Sequence, residues 1–136
     1  MWAKESTMEH LHPKQAFDIL QGSPNTLLID CRTEAEFFYV GHPVDAVNIE
    51  WNTEPDFEVN PHFCDIALRM AGRKDRPIIL ICRSGKRSTD AGLALERHGF
   101  TNVRNILEGF EGDLDPQHHR GTLGGWRMHG LPWRQL

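Results

Sequence analysis

The chain of 136 residues is 39% hydrophobic and 25% charged, with a formal net charge of −4. This length and composition predict one globular domain over residues 1–136, with a core over about 10–110 and an irregular tail over 111–136. The acidic balance excludes a general nucleic-acid binder, whose surface carries a basic excess, and no apolar run approaches the ~20 residues of a membrane span.

Segments with helical and strand patterns alternate along the chain. Helices are predicted over residues 13–22, from Thr33 to Gly41, after Asn60-Pro61 and from near Ser88 to Gly99, and strands over 27–29, 44–49, 78–81 and 103–107. Thr33 and Glu36 form a capping-box pattern at the start of the second helix. This alternation predicts an α/β fold, with a central parallel sheet of about five strands flanked by helices.

The residues from Glu108 onward differ in composition from the rest of the chain. They include six glycines, two prolines and two tryptophans. Glycine and proline interrupt regular elements, so this segment is predicted to be irregular. We expect Trp126 and Trp133 to pack it against the rest of the domain.

The three cysteines, Cys31, Cys64 and Cys82, are spaced too widely for a Cys-x-x-Cys redox or zinc motif. Residues 1–6 lack the apolar stretch of a secretory signal peptide. We therefore expect a cytoplasmic protein, in a reducing compartment that leaves a reactive thiol free, and no cofactor. His118-His119 has no third ligand at metal-binding spacing, so no metal site is predicted.

Cys82 follows the most apolar strand and precedes a cationic loop. The loop residues are Arg83, Ser84, Gly85, Lys86, Arg87 and Ser88. The loop has to curl back to begin a helix, which turns its N–H groups and the positive end of the helix dipole toward the sulfur. Gly85 permits the turn, and Ser88 is predicted to cap the helix. These surroundings favour a thiolate, so Cys82 is the predicted nucleophile, with an inert buried cysteine as the alternative.

The other candidate residues lie mainly at the end of the 27–29 strand. Asp30 and Arg32 follow that strand, and Glu36 lies four residues beyond Arg32, so that Arg32 and Glu36 can form an ion pair. We expect Asp30, Arg32 and Glu36 to be scaffold residues rather than catalytic ones. Cys31 is expected in the core. Cys64 is expected to be half-buried and structural, with a resolving thiol as the alternative.

Three segments of the chain form an ordered set of motifs. The first covers 28–37 and continues through 41–43 and 46–49, the second is 82–88, and the third comprises Leu95, 99–100, 102–103 and 107–109. In this order and at this spacing they resemble the single-domain rhodanese (thiosulfate sulfurtransferase) family over about residues 10–133. The resemblance implies a three-layer α/β/α fold with Cys82 in the active-site loop.

The resemblance implies a sulfurtransferase that carries sulfur as a persulfide on Cys82. Thiosulfate or a similar small anion is the implied donor, and cyanide, a thiol or a protein is the implied acceptor. Arg83 and Lys86 are expected to attract the donor, and Arg87 to organise the loop. No nucleic-acid or membrane partner is expected, and the oligomeric state stays open.

Loop length separates the alternatives within related folds. Four residues lie between Cys82 and Arg87, whereas the phosphatase and arsenate-reductase relatives have five. The shorter loop favours holding one sulfur over holding a tetrahedral oxyanion. A sulfur-carrier or regulatory binding module is the other alternative, although the presence of Cys82 disfavours an inactive domain.

Overall fold

The computed structural model describes residue 6 and residues 8–136. Of residues 1–6, in which no signal-peptide pattern was found, only Ser6 belongs to the described part of the chain. The strands are β1 (Glu9–Leu11), β2 (Leu27–Asp30), β3 (His42–Pro43), β4 (Val47–Asn48), β5 (Asn52–Thr53), β6 (Glu58–Val59), β7 (Ile78–Ile81), β8 (Val103–Ile106) and β9 (Trp133–Arg134). The helices are α1 (Pro13–Gly22), α2 (Phe63–Ala71) and α3 (Lys86–Arg97), with a π-helical turn over Glu36–Val40.

A five-stranded parallel sheet forms the centre of the molecule. Its strand order is β1-β8-β7-β2-β4, and every neighbouring pair is parallel. All four residues of β7 are buried, as expected for the central strand that leads to Cys82. The predicted parallel sheet of about five strands is confirmed. Strand β1 was not predicted, because two of its three residues are polar and exposed.

Successive residues of each strand face opposite sides of the sheet, and this alternation divides the hydrophobic core in two. On one face, Ile78 and Leu80 of β7 pack with α2 and α3. On the other face, Ile79 and Ile81 pack with α1 and with Trp126 of the C-terminal segment. The molecule is thus a three-layer α/β/α structure, as predicted.

Two local predictions need correction. The strand predicted over 44–49 is only the two-residue β4, because Asp45 adopts a left-handed φ of 70° that interrupts extended backbone. Helix α3 begins at Lys86 rather than near Ser88, with Gly85 as its N-cap residue at a φ of 115°. Ser88 therefore lies inside the helix and does not cap it. The predicted capping box is confirmed, since Thr33 Oγ1 accepts from the Glu36 N–H.

The C-terminal segment packs against the sheet through Trp126, whereas Trp133, which was expected to pack in the same way, is 38% exposed. Trp126 is 1% exposed, and its indole N–H donates to the Pro132 carbonyl at 2.9 Å. Farther along, β9 pairs antiparallel with β3 and brings Trp133 against Gly41. None of the helices in the described part of the chain has the length and apolar character needed to cross a membrane.

Candidate active site

Cys82 lies at the carboxyl end of β7, where the loop turns into α3. The residue is 1% exposed, and its Sγ accepts a hydrogen bond from the Gly85 N–H at 3.1 Å. Gly85 is the N-cap residue of the twelve-residue helix α3, so the sulfur lies at the positive end of that helix. The predicted juxtaposition of thiol, inward N–H group and helix N-terminus is present.

Ser88 links the thiol to the interior of the domain. Its Oγ lies 3.2 Å from Cys82 Sγ and also donates to Asn105 Oδ1. The Asn105 amide in turn donates to Thr89 Oγ1 at 3.2 Å and contacts His10 Nδ1 at 3.1 Å. The Gly85 carbonyl, 3.2 Å from Ser88 Oγ, is a further acceptor. A hydroxyl carries one proton, so Ser88 donates to one of three acceptors at a time: Asn105 Oδ1, the Gly85 carbonyl or an ionised sulfur. Asn105 was not singled out from the sequence, because its distance along the chain hides this contact.

Arg87 and Glu36 form a bidentate ion pair beside the loop. Arg87 Nη1 donates to Glu36 Oε1 at 2.7 Å and Nη2 donates to Oε2 at 2.9 Å, across 51 positions of sequence. Burial alone would raise the pKa of the Glu36 carboxyl, but the hydrogen bonds and charge of Arg87 outweigh it and lower that pKa from 4.5 to about 2. The expected Arg32–Glu36 ion pair is wrong.

We expect Glu36→Gln to lower the free energy of unfolding by about 2 kcal/mol at neutral pH. Because the pKa of Glu36 is about 2 in the folded chain, the Arg87–Glu36 pair makes its full contribution to stability above pH 4.5. That contribution is lost as the pH falls from 4.5 toward 2, so wild type and variant should converge there. Urea unfolding at a series of pH values measures this. Glu34→Gln removes an exposed acid two residues earlier and is the control; equal losses in both variants would contradict the prediction.

Asp30 and Arg32 form a second ion pair that is completely buried. Both side chains are 0% exposed, and Arg32 Nε donates to Asp30 Oδ1 at 2.9 Å. Arg32 Nη2 donates to both Asp30 Oδ2 and the Gly41 carbonyl at 2.6 Å. The guanidinium also lies 4.6 Å from the ring centre of Phe110. These contacts join the end of β2 to the segment before β3 and to the C-terminal segment, so they fit a scaffold role.

The turn after β8 binds the backbone of the Cys82 loop through two hydrogen bonds. The Phe110 N–H donates to the Cys82 carbonyl at 2.8 Å, and the Glu111 N–H donates to the Arg83 carbonyl at 2.9 Å. Gly109, at a φ of 63°, makes this approach possible: a Cβ there would lie 2.5 Å from the Cys82 oxygen and from the Arg83 carbonyl carbon. The backbone of the candidate loop is thus held by a segment 27 positions downstream of Cys82.

Gly109→Ala should reduce catalytic turnover by about 100-fold, because the added methyl group has to displace the Cys82 carbonyl and with it the thiol. Gly72→Ala is the matched control. Gly72 also has a positive φ, of 83°, but a Cβ there meets nothing within 4 Å. The control should lose about 1 kcal/mol of stability and keep its turnover. Steady-state kinetics and unfolding of both variants separate the two effects; unchanged turnover in Gly109→Ala would refute the prediction.

A pocket of about 590 Å³ lies beside the loop, which contributes Arg83 and Arg87 to its wall. It is lined by three arginines, three glutamates and several smaller or apolar side chains, namely Arg83, Arg87, Arg120, Glu36, Glu54, Glu111, Thr33, Ala35, Val40 and Phe57. Arg83 is exposed at this pocket, whereas Lys86 is exposed at the first position of α3. Arg120 comes from the C-terminal segment and was not predicted as a site residue, because that segment carries no motif.

The two remaining cysteines differ in their surroundings. Cys31 is 0% exposed in the core, and burial raises the pKa of its thiol well above the ordinary value. Cys64 is half-buried on α2, and burial raises the pKa of its thiol as well. The core position expected for Cys31 and the partial burial expected for Cys64 are both observed.

Comparison with known proteins gives matches in sequence and in structure. The rhodanese-like domain family matches residues 13–114. An uncharacterised protein of Rickettsia conorii is 32% identical over 134 residues, which cover 94% of this chain and 98% of that protein. A sulfurtransferase of Allochromatium vinosum is 31% identical over 114 residues, which cover 83% of this chain and 82% of that protein.

The fold also has a counterpart among solved structures. The crystal structure of Rv0390 from Mycobacterium tuberculosis matches with a TM-score of 0.83 and 40% sequence identity. The match covers 96% of this chain and 100% of that chain. The similarity therefore extends over nearly the whole chain, in sequence and in fold.

Proposed function

The chain belongs to the rhodanese-like domain family, and we propose that it is a thiosulfate sulfurtransferase that carries sulfur as a persulfide on Cys82. Relatives named as sulfurtransferases support sulfur transfer as the general activity. The position of the Cys82 thiol carries the finer proposal. The sulfur is held at a helix N-terminus by the Gly85 N–H, in a loop that leaves four residues before Arg87.

The ion pair of Arg87 supports sulfur over phosphate as the transferred group. Both terminal nitrogens of Arg87 already bind the Glu36 carboxylate, so this guanidinium braces the loop instead of presenting its donors to an oxyanion. Two donors contact the sulfur directly, the Gly85 N–H and the Ser88 hydroxyl, and this pair suits the small terminal sulfur of a persulfide. A rival reading as a phosphatase lacks such support.

The reaction proceeds in two displacements. The Cys82 thiolate attacks the outer sulfur of thiosulfate, a new sulfur–sulfur bond forms, and the bond to the inner sulfur breaks, with its electron pair leaving on sulfite. Cyanide, or a thiolate acceptor, then attacks the terminal sulfur of the persulfide. That bond breaks toward Cys82, which leaves as the thiolate and is ready for another cycle.

Three loop and tail cations suit the anionic donor. Arg83 and Arg120 both line the pocket beside the loop, and Arg120 Nη1 donates to the Gly112 carbonyl at 2.8 Å. Lys86 is exposed at the start of α3 and adds long-range attraction for anions. The Gly85 N–H and the Ser88 hydroxyl stabilise the sulfur during both displacements.

Mass spectrometry of the intact protein after thiosulfate treatment tests the proposal. The expected result is a mass increase of one sulfur atom on Cys82, which disappears on addition of cyanide with formation of thiocyanate. Absence of the adduct together with turnover of an aryl phosphate would favour the phosphatase. Absence of both the adduct and any turnover would favour a binding module.

A further inference from the structure

Three metal-binding side chains from distant parts of the chain meet beside the end of β8. They are His12, the N-cap residue of α1, Glu108, which follows β8, and His129 of the C-terminal segment. His129 Nε2 lies 3.0 Å from Glu108 Oε1, and His12 Nε2 lies 3.5 Å from Glu108 Oε2. One ligand atom of each residue lies within 4.8 Å of the others. The cluster is separate from the Cys82 thiol and plays no part in the sulfur chemistry proposed above.

The carboxylate of this cluster is held in place by its surroundings. Glu108 Oε1 accepts from the Gly125 N–H at 2.9 Å, and a side chain at Gly124 would overlap the same oxygen. Hydrogen bonds that orient a carboxylate in this way are typical of the outer shell of metal sites.

We propose that His12, Glu108 and His129 bind a divalent transition-metal ion, with Zn²⁺ as the best match. Two imidazoles and one carboxylate form the donor set of three-ligand zinc sites, in which water completes the tetrahedron. Ligands about 2.1 Å from a tetrahedral ion lie about 3.4 Å from one another. Each histidine Nε2 lies at a similar distance, 3.0 and 3.5 Å, from one of the two Glu108 oxygens. Imidazole donors disfavour Mg²⁺ and Ca²⁺, which prefer oxygen ligands.

Metal binding changes the hydrogen bonds of both histidines and the orientation of the His12 ring. Ligation through Nε2 places the ring proton of each imidazole on Nδ1. At His129 the metal then replaces the hydrogen bond between Nε2 and Glu108 Oε1. At His12 this ends the hydrogen bond that Nδ1 accepts from the Lys14 N–H at 3.2 Å, so metal binding costs α1 its side-chain cap. The half-exposed His12 ring can rotate to close the remaining distance, because its side chain is 47% exposed.

The bound ion would link three segments close to the Cys82 loop: the start of α1, the turn after β8 and the C-terminal segment. Glu108 precedes Gly109, which packs under the carbonyls of Cys82 and Arg83. His129 belongs to the segment that also contributes Trp126 to the core. Metal binding is therefore expected to stabilise the docking of the C-terminal segment, and the melting temperature should rise with added Zn²⁺.

Isothermal titration of the untagged full chain with ZnCl₂ tests the site, in a Cys82→Ser background that prevents binding by the loop thiol. One Zn²⁺ per chain is expected. His129→Gln and Glu108→Gln should each weaken binding at least about tenfold and remove the Zn²⁺-dependent rise in melting temperature. His62→Gln is the matched control, because His62 is exposed and lies outside the cluster.

Two results would overturn the site: no saturable one-to-one binding, or equal affinity in the His129→Gln variant and the His62→Gln control. Melting curves without metal establish that each variant is folded. If His129→Gln is unfolded, His12→Gln replaces it, since His12 is half-exposed and its loss disturbs packing least. In that variant, binding as tight as in the control counts equally against the site.

Discussion

Replacement of Cys82 by Ser is expected to reduce thiosulfate:cyanide sulfurtransferase turnover by at least about 1,000-fold. A serine hydroxyl at this position keeps the size of the side chain, but it is a weak nucleophile toward sulfur and cannot carry a persulfide. The Gly85 N–H and the Ser88 hydroxyl would remain in place, so the loss reports the missing sulfur and not a collapsed loop. Steady-state assay of thiocyanate formation measures it.

The matched control for this variant is Cys64→Ser. Cys64 is a free, half-buried thiol on α2 and lies outside the loop, so its replacement should leave turnover within about twofold of wild type. Loss of the thiosulfate adduct only in Cys82→Ser would assign the persulfide to that residue. If turnover survives in Cys82→Ser, or is lost in Cys64→Ser with the fold intact, the proposed mechanism is wrong.

Asp30→Asn is expected to lower the free energy of unfolding by about 3–5 kcal/mol, the largest stability change among the variants discussed. The substitution keeps the shape of the side chain but removes the charge that compensates Arg32, and both side chains are 0% exposed. The remaining partner of Arg32 Nη2, the Gly41 carbonyl, is a neutral dipole and cannot replace a carboxylate. The midpoint of urea unfolding at neutral pH measures the loss.

An exposed ion pair of the same type provides the control. Asp75 Oδ1 lies 2.7 Å from Arg73 Nε, but the Asp75 and Arg73 side chains are 72% and 57% exposed. Water screens such a pair, so Asp75→Asn should cost less than about 1 kcal/mol. A loss of similar size in both variants would show that burial is not what makes the Asp30–Arg32 pair important.

The main features of the fold and the candidate nucleophile could be predicted from local sequence patterns. The apolar run of β7 and the cationic loop after Cys82 are continuous in sequence, and so is the capping box of Thr33 and Glu36. Ser88 shows the limit of such reasoning. Its residue type suits a cap, but α3 begins two positions earlier because Gly85 provides the turn, and the Ser88 hydroxyl faces the thiol instead.

Sequence spacing could not identify the ionic partners. Arg32 and Glu36 are four positions apart, yet they do not pair with each other. Arg32 pairs with Asp30, and Glu36 pairs with Arg87 of α3. Charged side chains choose partners by distance and burial, which depend on how β2, β7 and α3 are packed together. A local sequence pattern contains no information about the distance between two side chains or about their burial.

By itself, the sequence determined the alternation of helices and strands, the parallel sheet, and the placement of Cys82 at the end of its central strand, because each follows from short-range periodicity and turn chemistry. Only the tertiary structure decided which distant side chains meet, around that thiol and elsewhere in the molecule. Asn105 behind Ser88, Arg120 at the pocket and the group of His12, Glu108 and His129 all join positions far apart in the chain. Their contacts exist because the sheet brings strand ends together and the C-terminal segment folds back over them, and no local pattern in the sequence encodes that packing.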